Sequence, residues 1–265
     1  MPETAKLYAG VARRIISPPR GLYLVGYGNR LQVNTGVHDD LTATALVLRS
    51  DDECVAIVAC DVLAISAETL TRIQSAVHSH VLVCCSHTHA APMTHAPAAA
   101  PRWYRRYVDF LVAQIVDVIQ LAEKNARPAR LSCAVDAVDV AVNRRQRNPN
   151  GLVVIGQNPD GPVDRSLAVV QVADQQGAVM ATLVNMACHP TVLRPDNRMA
   201  SADWPGVMRA VVEAQTKVPC LFVQGACGDL GPRVQRHSQM QWAECTRLGQ
   251  EVGEAVLALV HSTQP

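Results

Sequence analysis

Apolar residues along this chain follow two periods, one near two and one near 3.6, and the switches between them mark the elements. Residues 41–49 and 54–60 are dense in Val, Leu, Ala and Ile and are separated by Ser50-Asp51-Asp52-Glu53, a pattern that predicts a hairpin. Ser66 then stands as the cap of a helical pattern reaching about Val77, and the short apolar run 81–86 follows as a buried strand, closing a β-α-β unit. Over 103–125, Tyr107, Leu111, Ile115, Val118 and Leu121 recur at helical spacing and predict a long core helix. Residues 129–141 alternate as a strand does. The polar stretch 142–165, rich in Asn, Arg, Pro and Gly, reads as a long loop of the functional or mobile kind.

Strands at about 166–173 and 178–187 flank the turn Asp174-Gln175-Gln176-Gly177, a second hairpin. Beyond it the pattern predicts a loop over 188–204, a helix from about Pro205 to Gln215, a strand at 219–224, a glycine-rich turn at 225–232 and a C-terminal helix. There is no internal repeat and no low-complexity linker. The expectation is one α/β domain spanning 1–265, a mixed β-sheet core layered with helices.

Composition narrows the partners. Of 265 residues, 49% are hydrophobic, ample for a sizeable core. The 24 basic residues are matched by 23 acidic ones, leaving a net charge of +1 that argues against a nucleic-acid or acidic-membrane partner. The densest basic cluster, Arg144-Arg145-Gln146-Arg147, suits a local anion or polar-substrate contact, or a solvated loop. Nine cysteines are an odd number, several lie in apolar runs, and no pair has CxxC spacing, so they read as reduced and not as a thiolate metal site. The N-terminus lacks the apolar core of a secretory signal and no run of eighteen apolar residues occurs, which makes a cytoplasmic protein the expectation unless a leader has been removed. Oligomerisation as a homo-oligomer stays open.

The strand Val81-Leu82-Val83-Cys84-Cys85 runs straight into Ser86-His87-Thr88-His89. On an extended backbone imidazoles spaced i, i+2 share a face, which is how a sheet delivers two nitrogens into one cleft at a strand's end. The strand 181–187 likewise ends in Cys188-His189-Pro190, so His189 is a candidate third nitrogen, in keeping with catalytic zinc's use of three protein ligands and an open position for water. Taken singly, these histidines also read as surface or turn residues. Asp203, before a helix that opens on Trp204-Pro205, is either an N-cap or a site carboxylate, and Asp61 is either a cap or an orienter of a histidine. Gly225, Gly228 and Gly231 let the 224–232 turn approach a ligand closely, although the turn lacks the lysine of a phosphate loop and the dinucleotide spacing. No GxSxG elbow is present, which leaves Ser86 a poor nucleophile, and Cys188 points away from its neighbour His189.

These motifs, in this order, resemble the N-terminal catalytic region of the neutral/alkaline (non-lysosomal) ceramidases. The matching pieces begin with Ala9-Gly10-Val11-Ala12-Arg13, Gly26-Tyr27-Gly28, Gly36-Val37-His38-Asp39 leading to Ala43, and Ser86-His87-Thr88-His89. They continue with Val142-Asn143-Arg144, Asn158-Pro159, Val163-Asp164, Asn185 with His189-Pro190-Thr191, Ser201-Ala202-Asp203 with Gly206, and Gln224-Gly225-Ala226-Cys227-Gly228-Asp229 with Pro232. The resemblance implies a zinc-dependent hydrolase of the N-acyl amide bond of a small-molecule or lipid substrate. It implies His87 and His189 as zinc ligands, His89, Arg144 and Asp203 in the chemistry, and Arg144, Gly228 and Asp229 against the substrate. The family completes its zinc shell with a glutamate and a tyrosine beyond the Gly-Asp turn, and this chain ends about thirty residues after that turn. Either the chain is a fragment, or it is a short relative whose remaining ligands come from Asp203, Asp61, His38, water or a partner subunit, and the alternative to a hydrolase is a silent domain that binds a ligand or partner without turnover. Aromatic content of 4% means that any apolar groove is built from aliphatic side chains.

Overall fold

The chain opens with β1 (Leu7–Ile15), a short β2 (Gly36–Val37), and the hairpin β3 (Thr42–Ser50) and β4 (Glu53–Cys60). Helix α1 (Ala67–Gln74) then crosses to β5 (His80–Cys85), followed by α2 (Arg102–Lys124), β6 (Arg127–Ala137), β7 (Ala141–Arg147) and β8 (Val153–Asn158). The second half holds β9 (Ser166–Asp174), β10 (Val179–Met186), β11 (Met199–Ala200), α3 (Trp204–Thr216), β12 (Cys220–Gln224), β13 (Leu230–Pro232) and α4 (Gln241–Ser262). The structure, a computed structural model, describes residues 6–51, 53–96, 100–234 and 241–262.

Eight strands form one mixed sheet in the order β12-β10-β9-β6-β1-β3-β4-β5. The pairs β4–β5 and β10–β12 are parallel and β1–β3, β3–β4, β6–β9 and β9–β10 antiparallel, so the expected mixed α/β core is what forms. Side chains alternate across it as pleating requires. In β3, Ala43, Ala45 and Val47 pack with Leu111, Ile115, Val118 and Ile119 of α2. Leu46, on the opposite face, joins Ala9, Ala59, Ala129, Val172, Ala181 and Leu221 in a separate cluster. That cluster draws on both ends of the strand order, and β12 approaches β4 and β5 while β10 approaches β1. The sheet is therefore folded over on itself. Its outer faces are covered by α2 on one half and, on the other, by α3 and α4, whose Trp204, Met208, Leu248 and Val252 pack with Val184, Met186 and Phe222.

Local signals explain most of the boundaries. Ser66 caps α1 by accepting from the Thr69 amide at 3.1 Å. At Gly10, any Cβ would lie 2.7 Å from the Ala126 nitrogen at the end of α2, so a side chain there would push that helix off the sheet. One buried ion pair crosses between the halves: Asp61, fully buried at the end of β4, accepts from both terminal nitrogens of Arg209 on α3 at 2.7 and 2.6 Å and from the Thr42 amide and hydroxyl.

One expectation is corrected and one strand is added to those the pattern suggested. The supposed loop 142–165 is a hairpin of β7 and β8 that β13 extends to three strands, its register shifted by a bulge between Asn143 and Arg145. The arginines of β7 hid the alternation, because their long side chains project into solvent while Ala141, Val142 and Asn143 are buried. Strand β1, which the apolar pattern had not suggested, lies centrally, with Arg13 and Arg14 on Glu213 and Asp117.

Candidate functional site

Folding the sheet over brings the ends of β5 and β10 together, and each end carries histidine. His87, His89 and His189 converge with ring centroids 4.7 Å (87–189), 5.2 Å (89–189) and 5.3 Å (87–89) apart. One ligand-capable atom from each lies within 4.8 Å of the others. The i, i+2 pair does not converge by strand alternation. β5 stops at Cys85, and His87 adopts a left-handed backbone with φ +66°. That conformation is unusual for a residue with a side chain and is held here by the His87 amide donating to the Val62 carbonyl at 3.0 Å.

The rings are aimed by main chain. His87 Nδ1 lies 2.8 Å from the Leu63 carbonyl and His189 Nδ1 2.8 Å from the Cys227 carbonyl. Each is thereby fixed as the Nδ1–H tautomer with Nε2 left as a lone-pair donor, the arrangement that metal-ligating histidines use. His89 differs: it is 9% exposed, and neither of its ring nitrogens has a hydrogen-bond partner. Burial, then the neighbouring His189 and His87, lower its pKa to about 3, and burial lowers that of His189 to about 4. Both are neutral imidazoles at neutral pH. Two oriented nitrogens beside a third that is buried and unpartnered form a donor set that fits a divalent ion such as zinc.

Several residues hold this set, and the sequence reading had not singled them out for that role. Gln224, ending β12, donates to the carbonyls of Ser86 (3.1 Å) and Cys188 (2.9 Å) and accepts from the Cys188 amide, tying together the residues that precede the two ligand candidates. Arg30 donates to the His89 carbonyl at 2.6 Å and to those of Pro195 and Arg194. Gly26 lies against the His89 ring, and Tyr27 meets that ring edge-on at 4.8 Å while donating to the Leu193 carbonyl. Of these, Gly26 and Tyr27 had an advance signal in the Gly26-Tyr27-Gly28 motif and Gln224 in the motif it opens, while Arg30 had none.

The other expected residues divide. Arg144, at the β7 bulge, donates through Nε and Nη2 to the Gly228 carbonyl, and its charge lowers the pKa of both His89 and His189, which sets it beside the cluster. Asp229 accepts from the Asn143 amide group at 3.3 Å, so Gly228 and Asp229 join β7 to the turn whose Cys227 carbonyl aims His189. Asp203 is the N-cap of α3, with φ +58°. Its oxygens accept from the Trp204 amide at 2.7 Å and the Leu193 amide at 2.9 Å, and burial raises its pKa to about 6. One oxygen thus caps α3 and the other holds the loop after His189.

Asp61 and His38 are not part of the cluster. Asp61 is sequestered by Arg209 and orients no histidine, and the Leu63 carbonyl does that work. His38 stacks on Trp242 at 3.7 Å with Nδ1 on Asp39. Cys188 is fully buried and burial pushes its thiol up, as expected of a core cysteine.

A family model described as neutral/alkaline non-lysosomal ceramidase, N-terminal, matches residues 9–254. The chain belongs to this family. Neutral ceramidase B of Dictyostelium discoideum is 24% identical over 242 residues, covering 80% of this chain and 33% of that protein. The crystal structure of neutral ceramidase from Pseudomonas aeruginosa superposes with a TM-score of 0.82 at 17% identity, covering 98% of this chain and 45% of that one. A structure described as ceramidase complexed with C2 gives a TM-score of 0.82 at 19% identity, over 97% of this chain and 44% of that one. The folds are the same. The chain spans a third of the length of the first relative and under half of the solved structures.

Proposed function

We propose that this ceramidase-like domain hydrolyses a linear N-acyl amide bond in a zinc-dependent reaction. The observation that carries the reading is the convergence of His87 and His189 through nitrogens freed by carbonyl-bound Nδ1–H groups, with the unpartnered His89 beside them. A zinc ion held by His87 and His189 would supply Lewis acidity and a hydroxide at neutral pH. His89, neutral and desolvated, offers one N–H and one lone pair to the reacting centre. Its N–H can hydrogen-bond an oxyanion, and its lone pair can take a proton from the attacking water and pass it to the leaving amine. Arg144 brings a fixed positive charge to the cleft and binds the polar part of the substrate, its guanidinium anchored on Gly228.

Metal analysis with an assay tests this. Purified protein should retain zinc, His87→Ala and His189→Ala should abolish both zinc and amide hydrolysis, and His89→Ala should abolish hydrolysis while keeping zinc. Protein that takes up no zinc, or whose activity survives His87→Ala, refutes the reading. A second reading has its own support, because the cluster among the described residues is three imidazoles with no carboxylate joining them. On that reading the domain binds an N-acyl ligand without turnover. Calorimetry that detects ligand binding, with no amine released, decides for it.

A further inference from the structure

The β7–β8 hairpin carries the most exposed apolar segment of the described chain. Leu152, Val153, Val154 and Ile155 are 66%, 55%, 43% and 82% exposed in succession. Side chains alternate along a strand, so both faces of β8 are apolar and in water at this point, and β8 is the outer strand of its sheet. Four consecutive exposed aliphatics are not ordinary surface scatter. Across the hairpin, Val153 pairs with Arg147 and Ile155 with Arg145, and both arginines are exposed. Arg147 donates to the Gly151 carbonyl, and no ion pair engages either arginine among the described residues. Between residues 140 and 163 three arginines face one acid, Asp160. Ile155 also lines a cleft of about 420 Å³ with Arg144, Thr191 and Arg194, which sets the hairpin beside Arg144 and the loop that follows His189.

The net charge of +1 argued against an acidic-membrane partner for the chain as a whole, but the basic excess here is local, and we infer that this hairpin docks the domain on an anionic lipid surface, with Leu152–Ile155 entering the acyl boundary and Arg145 and Arg147 at the headgroups. A protein partner would be met by one apolar face with a polar back. A hairpin apolar on both sides and basic at its flank is suited to burial in lipid, where apolar area and attraction to anionic headgroups add. The inference deepens the hydrolase reading and rests on it for why lipid contact matters, since docking would bring an N-acyl lipid to the cleft without its passing through water.

Sedimentation with vesicles tests the surface directly. Vesicles of phosphatidylcholine with phosphatidylserine should retain the protein, and phosphatidylcholine alone should retain it less. The double variant Leu152→Ser with Val153→Ser should lower partitioning about tenfold or more. Arg145→Gln and Arg147→Gln should each reduce binding to anionic vesicles about fivefold and remove the salt dependence together. A wild-type protein that stays in the supernatant, or serine variants that bind as it does, overturns the proposal. So does concentration-dependent dimerisation, lost in the serine variant, with no vesicle retention, which would make β8 an edge for a second copy. Hydrolysis of a water-soluble short-chain N-acyl amide should be the same in the serine variant as in the wild type. Retention on vesicles with no hydrolysis at all would remove the hydrolase reading and leave the docking surface standing.

Discussion

Gly26→Ala separates the role of His89 from those of His87 and His189. Gly26 has φ +106°, and a Cβ added there would lie 2.5 Å from His89 Nδ1 and 2.9 Å from its Cβ. Ordinary contact begins at 3.4 Å, so the ring, or the backbone carrying it, must retreat by about 1 Å. The backbone cannot retreat freely, because Arg30 holds the His89 carbonyl and Tyr27 abuts the ring. A displacement of about 1 Å at a reacting group lowers kcat by roughly 10²-fold. The positive φ adds about 1–3 kcal/mol of strain, or a fall in Tm of roughly 2–4 °C per kcal/mol for a chain of this size.

Three measurements on one preparation check this: thermal unfolding, zinc affinity, and kcat on an N-acyl amide. The expected pattern is a modestly lowered Tm, zinc affinity close to wild type because His87 and His189 are aimed by other groups, and kcat down about a hundredfold. Gly28→Ala is the control, since its Cβ would meet nothing within 4 Å and its φ is not in the positive region. Wild-type kcat in Gly26→Ala refutes the placement of His89 at the reacting centre. A parallel collapse in zinc affinity would instead make His89 a ligand.

Gln224→Leu, which keeps the bulk but removes all three hydrogen bonds to Ser86 and Cys188, should weaken zinc binding by about 10–100-fold in titration against a chelator, with far smaller effect on secondary structure by circular dichroism. Asp61→Asn leaves Arg209 charged and buried, and should lower unfolding free energy by about 3–5 kcal/mol in urea while kcat per folded molecule is unchanged; loss of activity without loss of stability would return Asp61 to the site. Asp203 has a folded pKa raised by burial from 3.8 to about 6, against opposition from the Leu193 and Trp204 amides. Its protonated form is favoured by folding, so its stabilising contribution is complete below 3.8 and is lost as pH rises to about 6. Wild-type stability should carry that falling component across this window, and Asp203→Asn, less stable throughout, should lack it.

The β3–β4 and β9–β10 hairpins, the β-α-β unit and all four helices were legible because each obeys a local rule: aliphatic runs bounded by polar turns, a serine before a helical period, a proline in a first turn. The histidine cluster was legible as two strand ends that release imidazoles. Their meeting was not, because it depends on the sheet folding over so that β12 reaches β5, a contact between residues about 140 apart. The β7–β8 hairpin escaped notice because three arginines replaced the apolar half of its alternation. The role of Asp203 was readable as a cap from its neighbours Trp204-Pro205, while its second bond, to Leu193, lies ten residues back and follows no short pattern.

The groups that aim the two ligand candidates are both backbone carbonyls, those of Leu63 and Cys227. No substitution at 63 or 227 deletes a carbonyl, so the imidazoles keep their tautomer whatever side chains those positions carry. What can disturb them is a change in the path of the main chain: the left-handed turn at His87, the Gln224 bridge, the turn at 225–229 held to β7 by Asn143 and Arg144. A site built in this way tolerates wide divergence of side chains as long as the loops keep their course, which agrees with a shared fold at 17% identity. Its vulnerable points are then the glycine, the glutamine and the arginines that fix the loops, and mutations there should outweigh conservative changes in the residues whose carbonyls touch the rings.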